Sequence, residues 1–118
     1  MPPLTDPERL QCYRNALRNY SCTGYVQFKE RAWDWLQVTF PGLAKRQIAQ
    51  LLHKHVKDGG EIDEQMETRE EWRDRHEFHH DLRVQIKGRF VYFETRLIYK
   101  NPDDPDDPLI EVVNAHDP

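Results

Sequence analysis

Two apolar strands joined by Lys87-Gly88 constrain this chain more than any other feature of it. Over 76–86, Phe78, Leu82, Val84 and Ile86 recur on one side of a two-residue repeat, and over 89–99 Val91, Phe93, Leu97 and Tyr99 do the same. Alternation of this kind marks a strand with one buried face. Gly88 takes a positive φ freely, so Lys87-Gly88 predicts a two-residue hairpin turn with Ile86 opposite Arg89. Val84 then faces Val91, Leu82 faces Phe93 and Phe78 faces Leu97. All the apolar pairs fall on one side, a match that a slip of one residue would destroy.

The same register writes the opposite face. Arg83 lies opposite Tyr92, Asp81 opposite Glu94, His79 opposite Arg96, and Glu77 opposite Ile98. It also divides the histidines of "HEFHHDLR": His79 joins the polar face, whereas His76 and His80 turn to the apolar side. Neighbours pointing apart cannot share one metal ion, so neither a metal site nor a cofactor is expected here. His80, opposite Thr95, reads as a histidine at the edge of the core, bonded to Thr95 or to backbone. Asp81 facing Glu94 is a like-charge pair that needs a cation or a retained proton. Arg83 and Arg96, diagonal to that pair, are the expected cations. One reading of this face is an exposed arginine–carboxylate network. The other is a site where His79 or a carboxylate moves protons while the arginines hold an anion, as phosphodiester chemistry requires.

Helical signals fill the first half of the chain. "TDPERLQCYRNALRNY" offers Asp6 as N-cap and Pro7 in the first turn, with Leu10, Tyr13, Leu17 and Tyr20 at helical spacing. A second helix is expected over about 25–39, with Phe28, Ala32, Trp35 and Leu36 on one stripe. A third is expected over about 44–56, closed by Gly59-Gly60. A first strand is expected at about 61–68. The acidic "NPDDPDDP" of 101–108 reads as a stiff, solvated loop outside any helix or strand, and a last strand follows over 109–116.

The expected fold is therefore α+β: one domain over 1–118, helices within about 6–57, packed on one face of an antiparallel sheet of about four strands within 61–116. With 118 residues the chain can bury one modest core. No run of about 18 apolar residues predicts a membrane span, and "MPPLTDPERL" lacks the apolar stretch of a secretory signal. Cys12 and Cys22 fit no metal or redox spacing and read as inert, buried or half-buried thiols of a reducing cytoplasm.

Charge is unevenly spread. From Arg9 to Lys57 nine Lys/Arg stand against Glu30 and Asp34, whereas from Asp58 to Leu82 ten acids stand against three arginines. Such asymmetry marks a polyanion-binding surface, or two halves that complement each other in the fold.

"GLAKRQIAQLLHKHVKDGGEI", "GRFVYFETRL" and the closing "IEVVNAH" together resemble the RelE/MqsR-type toxin ribonucleases over about 42–118. The resemblance implies metal-independent cleavage of RNA on an open sheet face, with His79, Glu94, Arg83, Arg96 and Tyr92 as the matching site residues; were activity independent of Glu94 and His79, His116 near the C-terminus is the next candidate. It also implies RNA as ligand and a neutralising protein as partner, and leaves the oligomeric state open. The sheet half is acidic, unlike the usually basic toxins. An alternative comes from "RAWDWLQVTFPGLAKRQIAQLL", which has the texture of a helix-turn-helix with "KRQ" opening its second helix. An adaptor domain without catalytic activity is the third reading.

Overall fold

The computed structural model describes residues 2–22, 24–69, 78–101 and 104–118. In chain order they form α1 (Pro7–Arg18), β1 (Val26–Phe28), α2 (Glu30–Thr39), α3 (Lys45–Lys57), β2 (Asp63–Met66), β3 (Phe78–Ile86), β4 (Arg89–Asn101) and β5 (Asp104–His116). The α+β class is as expected, but the sheet is larger and mixed. Its order is β1-β5-β4-β3-β2, with β1 parallel to β5 and the other neighbours antiparallel.

The central hairpin has the register read from the sequence. Ile86 pairs with Arg89, Val84 with Val91, Leu82 with Phe93, Asp81 with Glu94 and His80 with Thr95. Lys87 (φ 51°) and Gly88 (φ 79°) both occupy the left-handed region, the turn whose twist suits the flanking strands. Leu82, Val84, Ile86, Val91 and Phe93 are buried, and from β5 Ile110 and Val112 join them. Against this face lie Tyr13 and Leu17 of α1, Ala32 and Leu36 of α2, and Ile48 and Leu52 of α3.

Local chemistry sets the helix ends. The Asp6 carboxylate accepts from the Arg9 N–H at 2.9 Å, and Pro7 opens α1. Beyond α3, Gly59 (φ 87°) turns the chain left-handed. Its N–H then donates to the Val56 carbonyl at 3.1 Å, and that of Gly60 to the His55 carbonyl at 2.8 Å. These two bonds satisfy carbonyls that the helix end leaves free.

Two expectations are corrected. The second helix begins at Glu30 and not near 25, because Val26–Phe28 form a strand on Ile110–Val112. The Ile110 N–H donates to the Tyr25 carbonyl at 2.8 Å and the Lys29 N–H to the Val112 carbonyl at 2.9 Å. A three-residue strand whose partner lies near the other end of the chain leaves no local periodicity to read. The expected loop at 101–108 is mostly strand: β4 runs on to Asn101, β5 starts at Asp104, and Tyr99 pairs with Pro108, which is buried. Prolines are tolerated because β1 pairs only with Ile110–Val112. Before Ile110 one side of β5 has no strand neighbour among the described residues, and a missing N–H there breaks no ladder bond.

Both cysteines are free, Cys12 half-buried and Cys22 exposed, so Cys22 departs from the sheltered thiol expected. His76, Glu77 and Trp72 lie outside the described residues.

Candidate active site on the polar sheet face

Alternation along β2, β3, β4 and β5 builds a grid on the side of the sheet away from the helices. Across it run the rows Arg83–Tyr92–His116, Asp63–Asp81–Glu94–Asn114 and Gln65–His79. The middle of the grid is organised by Asp81, whose side chain is only 1% exposed. One carboxylate oxygen accepts from His79 Nδ1 at 2.9 Å. The other accepts from Gln65 Nε2 at 2.7 Å and from the Tyr92 hydroxyl. A carboxylate can only accept, so Nδ1 of His79 carries the proton and Nε2 is left as the ring's second functional nitrogen. Burial, and next the bond to Asp81, push the Tyr92 hydroxyl above the usual phenol range, so it stays protonated and donates.

The expected cations for the Asp81–Glu94 pair are corrected. Arg69, from the segment after β2, takes Glu94 through Nη1 and Nη2 and takes Glu67 through Nε and Nη2. Arg96 is not an exposed anion ligand: it is wholly buried, and Nη2 donates at 3.3 Å to Glu67, which is 1% exposed. The reason is Glu67, whose buried carboxylate accepts from both Arg96 and Arg69. Arg83 remains exposed, with its guanidinium 5.9 Å from the centre of the Tyr92 ring. His116, also exposed, stacks on Tyr92 at 5.0 Å with 20° between the planes. Of the five residues singled out from sequence, His79 and Tyr92 bond Asp81 and Arg83 lies beside Tyr92, whereas Glu94 and Arg96 are engaged in ion pairs. Gln65, Glu67 and Arg69 were missed because the strand that carries Gln65 has no apolar alternation and the other two follow it outside any strand. Asp81 itself was legible only as half of a like-charge pair.

The ion pairs have a pH signature. The Arg69 guanidinium foremost, and then Arg96, hold the Glu67 carboxyl at about 2, below the usual carboxylate value of about 4.3. A depressed folded-state value stabilises the protein above the unfolded value, and that contribution is lost as pH falls toward the folded one. Glu67→Gln is therefore expected to cost about 2 kcal/mol at pH 7, less as pH drops from 4 toward 2. Urea titrations at pH 7 and pH 3 check this; an equal loss at both values would show that the carboxylate charge is not responsible.

His80 behaves as a core-edge residue with a different partner from the one expected. Thr95 donates to its carbonyl at 2.6 Å, but the ring Nε2 meets Glu64 at 3.0 Å, and Glu64 also accepts from Arg9. Burial lowers the His80 value. His79 and His80 thus face opposite sides of the sheet. Among the described residues no three His, Cys, Asp or Glu side chains converge as a metal-binding group.

The helix-turn-helix reading gains little, because α3 packs on α1 and β3 and scarcely on α2. Among the described residues no helix is long and apolar enough to cross a membrane. Comparison with known proteins finds no matching family model, curated protein or solved structure.

Proposed function

We propose that the polar sheet face is a metal-independent acid–base site acting on RNA, with His79 as the proton-transferring group and Asp81 as its positioning residue. The observation that carries this reading is the buried Asp81 carboxylate bonded to Nδ1 of the half-buried His79. A carboxylate in that position fixes the ring and stabilises the imidazolium formed when Nε2 takes a proton. The substrate would present a ribose 2′-hydroxyl. Nε2 of His79 accepts its proton, the 2′-oxygen attacks the adjacent phosphorus, and the bond to the 5′-oxygen breaks as that oxygen gains a proton. His116 is the second titratable ring on the face and the candidate donor of that proton. Arg83 stands beside Tyr92 to bind the phosphate, and Tyr92 holds Asp81 in place. Such a protein would work in the cytoplasm, and a neutralising protein partner would act by covering this face.

The engagement of Glu94 and Arg96 in ion pairs favours a second reading, an adaptor whose polar face is structural. The two part company in one assay: incubation of a mixed RNA pool with the purified protein in EDTA. The expected result is cleavage leaving 2′,3′-cyclic phosphate or its hydrolysis product. A folded protein that leaves the pool intact would establish the structural reading.

A further inference from the structure

On the helical side of the sheet, α1 and α3 border a cleft of about 350 Å³ lined by Arg14, Arg18, His53, Val56 and Lys57. A depression shared with Tyr20 and Lys54 continues it at one end, and one lined by Leu4, Leu10, Ile62 and Glu61 closes it at the other. Arg14 and Arg18 lie one turn apart on α1 and Lys57 lies in the last turn of α3, so both helices bring cations to the same cleft. Like charges so placed weaken a helix. The last-turn positions of Arg18 and Lys57 suit the helix dipole, but Arg14 stands too far from the end to gain from it. Among the described residues, Arg14, Arg18, Lys54 and Lys57 have no carboxylate partner, as is also true of Arg31, Lys45, Arg46, Arg83 and Lys87, but only the former gather around one cleft and its adjoining depression. Asp58 lines the adjoining depression but pairs with neither lysine. At the cationic end the Tyr20 and His53 rings pack together with centroids 5.4 Å apart.

We propose that this cleft binds a free nucleoside diphosphate, its phosphates between Arg14, Arg18 and Lys57 and its base against the Tyr20–His53 pair. The volume is that of a small-ligand site. About three negative charges on the diphosphate match the clustered cations, and guanidinium forks suit phosphate oxygens. Beyond Arg14 the depression brings Glu61 beside Leu4, Leu10 and Ile62 and so ends the cationic track, which favours a compact anion over a nucleic-acid strand. The cleft is separate from the His79 face, and the proposal stands without the reading given to that face.

Calorimetry of the full chain with ADP, ribose 5-phosphate and adenosine tests it. ADP is expected to bind, ribose 5-phosphate to bind more weakly for want of a base, and adenosine not at all. Arg14→Gln with Arg18→Gln should weaken ADP at least tenfold while melting no lower than wild type, since the repulsive pair is gone. His79→Ala should bind ADP unchanged. No ADP binding, or equal binding by the double variant, would overturn the proposal. So would tighter binding at these arginines of a single-stranded RNA oligonucleotide, measured in the His79→Ala background, or of polyglutamate. The first would make the cleft a strand contact and the second the seat of an acidic protein.

Discussion

His79→Ala is expected to slow RNA cleavage in EDTA by about 10²–10⁴-fold, the usual cost of losing a proton-transferring group. The fold should survive, because Asp81 keeps Gln65 and Tyr92 as donors when the ring is removed. Asp81→Asn should lose a comparable amount, since an amide neither enforces the proton on Nδ1 nor balances the charge on the ring. Glu94→Gln is a useful contrast: it removes the charge from one of the two carboxylates that hold Arg69 and should lower the melting temperature more than the rate. Rates measured alongside melting curves separate these outcomes. A His79→Ala protein that is folded and cuts at the wild-type rate would remove this histidine from the mechanism.

Phe93→Ala carries the largest expected loss of stability, about 3–5 kcal/mol. The ring is fully buried, pairs across β3 with Leu82 and across β5 with Ala115, and sits where α1, α2 and α3 meet the sheet. Its removal takes away apolar contacts and leaves a cavity that neighbours anchored on three strands fill only in part. Chemical denaturation at pH 7 measures the loss; a change below about 1 kcal/mol would mean that the centre of the sheet can collapse freely.

What the sequence disclosed depended on how far apart the interacting residues lie. Although the expected Phe78–Leu97 and His79–Arg96 pairs lie beyond the paired segment, the β3–β4 register from His80–Thr95 to the turn was legible because its apolar pairs, its turn and its Gly88 are all within one short stretch. So was the division between His79 and His80, which needs only strand alternation. The capping of α1 by Asp6 and the end of α3 at Gly59-Gly60 are equally local. The β1–β5 pairing was not legible, because three residues give no period and their partners lie most of a chain away. The strand character before Ile110 was hidden by its prolines, which read as a barrier to pairing unless one knows that β1 stops short. On the polar face, the sequence placed His79, Asp81, Tyr92 and Arg83 together. It could not show that Arg69 and Glu67 would reach over from beyond β2, since neither lies in an alternating stretch. That is why Glu94 and Arg96 looked available for chemistry.

The parallel border of the sheet also dictates an order of assembly. The β3–β4 hairpin closes a two-residue turn, whereas β1 meets Ile110–Val112 only after nearly the whole chain has been gathered. Short loops close at lower entropic cost than long ones, so the hairpin belongs to the nucleus and the β1 seam to the last stage. Weakening the two should therefore act on opposite limbs of a chevron plot. Leu82→Ala is expected to slow refolding, and Val26→Ala mainly to hasten unfolding. The seam between the chain's distant parts is then the latch that sets how long the folded molecule lasts once formed.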